Sequence, residues 1–88
     1  MKISADKDKR MVESRKKILN AMLISLGSYI EQEAKKEDQW RDKTYGELYA
    51  HLKHEIMEIG RSQSRTVQLH NCMDACSLAA LMVSKLME

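Results

Sequence analysis

Residues 47–85 read ELYAHLKHEIMEIGRSQSRTVQLHNCMDACSLAALMVSK, and this stretch decides the fold. Just before it, Thr44 stands three residues ahead of Glu47, the spacing of a capping box, which predicts a helix starting near Tyr45. At about 100° per residue, Leu48, Leu52, Ile56 and Ile59 fall on one arc with Tyr45, and Gly60 is placed to stop the helix. Residues 61–66 form a polar turn in which Ser62 or Ser64 can cap a following helix. Residues 67–87 then read as a helix that is apolar nearly all round. Leu69, Met73, Cys76, Ala80, Val83 and Met87 make one side, and Leu78, Leu81 and Met82 cover much of the other. A helix of that kind belongs in the middle of a bundle. The short connection predicts that the two helices pair antiparallel.

Acids sit on or beside the faces that these helices should bury. Glu55 lies only about 20° outside the apolar arc, which turns it toward the interior, and Glu58 lies about 80° outside, one turn along the same flank. His54 projects into solvent. On the next helix Asn71, Asp74, Leu78 and Leu81 share a ridge, so Asp74 should also face protein. An unpaired buried carboxylate is expensive and calls for a partner or a metal. Glu55/Glu58 and Asn71/Asp74 repeat one three-residue spacing, and antiparallel pairing can bring the two sets opposite each other. Four converging oxygen-bearing side chains in a helix bundle suit a hard cation such as Mg²⁺. The alternative is that the acids pair with Lys53, Arg61, Arg65 or His70.

Upstream, Ile18, Leu19, Met22, Leu23, Leu26 and Ile30 recur at helical steps as one apolar stripe, with Gly27 inside it leaving room for another helix to approach. Polar residues take over from Glu31, predicting an exposed helix end that runs into a loop through residue 43. Trp40 stands in that loop, either capping a core edge or offering a stacking platform for a base. Residues 1–17 carry seven Lys or Arg against Asp6, Asp8 and Glu13, a solvated helix start or a basic arm. The overall charge of +2 does not point to nucleic acid.

Eighty-eight residues make one domain, residues 1–88. With no proline and three glycines, little breaks a helix. The expected fold is all-α, with three main helices per chain. So small a core leaves a monomer marginal, so the bundle should be completed by oligomerisation. No segment resembles a signal peptide or is long and apolar enough to span a bilayer. Cys72 and Cys76, four apart on one helix, have poor geometry for a disulfide. His70 with the two cysteines makes a partial zinc pattern of unusual spacing, and buried small side chains are the expected reading. A cytoplasmic location follows.

EIME at Glu55 to Glu58, followed by NCMDACSLAALMVSKL from Asn71, resembles the MazG-type family of all-α nucleoside triphosphate pyrophosphohydrolases. Those proteins carry an E-x-x-E pair on one helix and an E-x-x-D pair on the next, usually followed by a small-and-apolar run. The approach, a Trp in a charged loop and then ELYAHLKHEIMEIG, is similar too, so the likeness covers Trp40 to Leu86. It implies Mg²⁺, or Mn²⁺ in its place, held by Glu55, Glu58 and Asp74, and hydrolysis of an NTP or dNTP to the monophosphate and pyrophosphate. It also implies a homodimer or homotetramer. One of the two glutamates would hold or deprotonate the water, making Glu55 and Glu58 the catalytic pair. Lys53, Arg61, Arg65 and Trp40 are the candidates for substrate contact. Two departures stand out: Asn71 occupies a place where the family has Glu, and Ser77 one where many members have Asn. An amide keeps a neutral oxygen ligand but removes a charge. The competing reading is a silent relative, or a helical interaction module, whose acids are merely ion-paired.

Overall fold

The computed structural model describes the backbone of residues 2–36 and 40–88. Three helices follow one another, α1 (Lys2–Lys36), α2 (Tyr45–Arg61) and α3 (Arg65–Met87), and there is no strand among the described residues.

Helix α2 starts where the Thr44/Glu47 spacing requires. The Glu47 backbone N–H donates to Thr44 Oγ1 at 3.2 Å, and Thr44 N–H donates back to Glu47 Oε1 at 3.1 Å. The Thr44 backbone N–H, and its hydroxyl, which donates to Glu47 Oε1 at 3.0 Å, hold the Glu47 carboxyl below its usual value of 4.5. A group whose folded value is depressed stabilises the fold above its unfolded value and loses that contribution as pH falls through the folded value. Thr44→Ala, which removes the N-cap oxygen, should lose about 1 kcal/mol in thermal unfolding at neutral pH. The gap to wild type should narrow below pH 4.5, where the bonded carboxylate is lost in wild type as well.

Gly60 does not end α2. The helix continues through Arg61 and is capped at Ser62, whose φ of −72° and extended ψ need no glycine, and whose N–H donates to Glu58 O. Ser64 then caps α3 by accepting from Val67 N–H. The tight link folds α2 back onto α3. Their contact, with Trp40, makes the core: Leu48 and Leu78 are fully buried, Trp40 and Met82 nearly so, and Tyr29, Leu52 and Leu81 pack around them.

Helix α1 is one unbroken run of 35 residues, so the charged amino-terminal segment is helical. Residues Asp6/Arg10 and Glu13/Lys17 stand four apart with opposite charge, which supports an exposed helix. This helix packs on α3 and not on α2. Its buried residue is Ser25, while the apolar stripe Ile18, Leu19, Met22, Leu23, Leu26 and Ile30 is more than half exposed except at the Leu26 boundary of 50%. Gly27 makes no close approach, since a methyl there would meet nothing within 4 Å. The all-apolar character of α3 is likewise only partly used, with Leu69, Val83, Leu86 and Met87 left exposed. One chain supplies too few helices to surround it. Cys72, expected to be buried, is exposed, and Cys76 is half-buried; both thiols are free.

Candidate functional site

Among the described residues Glu55 is the buried acid, 9% exposed on the face that α2 turns to α3. Its arc explains this: by helical rotation it lies between His51 and Leu48, within about 20° of the most buried position. The Glu55 Oε1 atom lies 3.2 Å from His51 Nε2, one helical turn back. The His51 ring packs perpendicular to the Trp40 indole, with ring centroids 5.3 Å apart. Its other nitrogen, Nδ1, is buried and has no hydrogen-bond partner. Such orphaned atoms are rare in folded proteins.

Glu58 sits one turn further along, half-buried, with His54 Nε2 at the longer distance of 3.9 Å. The basic neighbours of both glutamates are thus histidines of their own helix. Lys53 instead lies over the Tyr49 ring, 5.6 Å from its centre. Arg61 and Arg65 are exposed on either side of the α2–α3 turn.

Across the helix pair, Asn71 and Asp74 are both half-buried on α3. Asp74 Oδ1 accepts a hydrogen bond of 3.0 Å from Gln32 Nε2 of α1, and the same nitrogen lies 3.4 Å from Ser28 Oγ. One turn on, Ser77 is buried and its hydroxyl donates to the Ser25 carbonyl of α1 at 3.3 Å. The polar side of α3 that carries Asp74 is thus the side against which α1 lies.

Trp40 is in the core at 9% exposure, stacked on Tyr29 at 5.5 Å and 23°. For a base to stack on it, the indole would have to give up Tyr29 or offer its other face beside His51. Fluorescence of this sole tryptophan reads either event directly.

The donor chemistry of Glu55, Glu58, Asp74 and Asn71, three carboxylates and an amide, suits a hard divalent ion. Among the described residues, no group of three His, Cys, Asp or Glu side chains is arranged to hold a metal ion. Mg²⁺ commonly takes only one or two carboxylates and completes its shell with water and substrate phosphate. Two contacts escape the sequence reading in different ways. His51 was visible as a residue four before Glu55. Gln32 carries no signal, because its bond to Asp74 spans 42 residues. No described helix is long and apolar enough to cross a membrane. Comparison with protein-family models, curated proteins and solved structures finds no match for the chain.

Proposed function

We propose that the chain is a cytoplasmic, MazG-like nucleotide pyrophosphohydrolase whose bundle is completed by further copies. The observation that supports this most is the burial of Glu55 at the α2–α3 contact, in a chain whose two adjacent helices repeat the three-residue spacing E-x-x-E and N-x-x-D. In this reading Glu55, Glu58 and Asp74, with Asn71 as a neutral ligand, would hold Mg²⁺ or Mn²⁺. When bound, the ion neutralises triphosphate oxygens and lowers the barrier to attack.

The protein's own groups do the rest. A water oxygen bonds to the α-phosphorus of an NTP or dNTP, and the bond from that phosphorus to the α–β bridging oxygen breaks. The pyrophosphate leaves, and the water proton passes to a glutamate carboxylate. His51 positions Glu55 by holding Oε1, and Gln32 does the same for Asp74. Lys53, Arg61 and Arg65 are the cations available to the phosphates, and Trp40 would meet the base only by giving up Tyr29 or His51.

A nucleotide panel with Mg²⁺ or Mn²⁺, scored for pyrophosphate, tests this. Release should fall by roughly 100-fold or more in Glu55→Gln, while the melting temperature of the variant shows that it still folds. Asn71→Glu, which restores the family's carboxylate, should raise activity.

A second reading has an observation of its own. Glu55, Glu58 and Asp74 already have partners in His51, His54 and Gln32, as expected of a silent relative or a helical interaction module. No pyrophosphate from any nucleotide, together with no rise in melting temperature on adding Mg²⁺, would decide for it.

A further inference from the structure

Helix α1 is built inside out for a single chain. Every residue from Ala5 to Ile24 is exposed, although in proteins most helical stability comes from packing an apolar face against a neighbour. The contact it makes with α3 runs through polar groups: Ser25, which also bonds back to Ala21 O, then Gln32 and the Ser77 hydroxyl. By helical rotation the residues Leu19, Leu23, Leu26 and Ile30 lie about 100° to 160° away from Ser25, and they are 50–58% exposed. Between this face and α3 lies a groove of about 340 Å³ whose walls include Leu19, Leu23, Leu26, Cys76 and Ala80.

The size of the uncovered area can be judged against compact proteins. The accessible surface is 7209 Å², where a compact monomer of this mass has about 5,300 Å². The radius of gyration is 16.0 Å, against about 12 Å for a globular chain of this length. The surplus of about 1,900 Å² is more than twice the roughly 800 Å² that each partner contributes to a standard interface.

From these observations we infer that the outer face of α1, with the groove beside it, is the interface between two copies of this chain, packed α1 against α1 in antiparallel order. Three features select a second copy. Leu19, Leu23, Leu26 and Ile30 step by four, three and four residues, the alternation of a helix–helix seam. A two-fold axis at the level between residues 24 and 25 sets Leu19 across from Ile30 and Leu23 across from Leu26, so the patch faces itself and the residues that line each groove also fill the partner's. Charge fixes the direction: antiparallel order brings Arg15 of one copy to Glu33 of the other, on the same flank of the seam, whereas parallel order would set like charges at one level. Glu33 already meets Arg41 of its own chain, so the complementarity steers orientation more than it adds strength. The inference supplies a face for the assembly proposed above and does not depend on the metal or on hydrolysis.

The test uses the full chain without nucleotide. Sedimentation equilibrium should give two or four times the 10.2 kDa chain mass. Leu19→Glu/Leu26→Glu should raise the dissociation constant by about 30-fold or more, because each substitution appears twice in the interface. A second measurement guards against simple unfolding of that variant. With Cys72→Ser and Cys76→Ala removing the native thiols, the pair Leu23→Cys/Leu26→Cys should oxidise to a disulfide dimer, and Val12→Cys should not. A single-chain mass overturns both the inference and the assembly it refines. An even multiple with no cross-link from Leu23→Cys/Leu26→Cys, or with a Val12→Cys cross-link in its place, overturns the inference and leaves the assembly standing.

Discussion

Leu78→Ala is expected to lose about 2–5 kcal/mol of stability, enough to unfold much of the protein under ordinary conditions. Leu78 and Leu48 are the two side chains buried without remainder, and both belong to the one cluster that joins α2 to α3. A domain of this length has only some 4–13 kcal/mol in total, so a single cavity at that point takes a large share. Urea unfolding followed by far-UV circular dichroism, at one fixed protein concentration, measures it. The volume-conserving Leu78→Met should lose less than about 1.5 kcal/mol. If Leu78→Ala stays within about 1 kcal/mol of wild type, the α2–α3 cluster is not what holds the chain together.

Trp40→Ala should be nearly as damaging, at about 3–5 kcal/mol, and for an additional reason. Its indole joins Tyr29 on α1 to His51 on α2, two helices that do not pack against each other directly. The variant should lose helix content and also show reduced protection of Tyr29 and His51 in hydrogen exchange. Trp40→Phe keeps an aromatic face for Tyr29 and should restore part of the loss. An alanine variant as stable as wild type would leave the indole with no structural role, and would shift attention to a nucleotide base as its partner.

Much of this was legible in the residues. The Thr44/Glu47 box and the serines of the turn placed the start of α2 and the link to α3, because capping is local chemistry that needs no tertiary context. The inward rotation of Glu55 followed from angle alone. Gly60 misled because a helix can also stop on an extended residue, and Ser62 does so here. The face that α1 turns inward was not legible. Periodicity finds the apolar side of a helix but not which neighbour arrives first, and α3 arrived on the side of Ser25 and Gln32. The bond from Gln32 to Asp74 was hidden for the same reason, since it exists only once two distant segments have met.

The crossing at Ser25 and Ser77 has a mechanical corollary. From there to Lys2 runs 23 residues of helix, a rod of about 34 Å anchored at one end by slender hydroxyl contacts. A tilt of about 10° at the fulcrum would sweep the far tip through some 6 Å. With such leverage, the pose of the amino-terminal half is dictated by whatever grips it along its length, and hardly by the pivot.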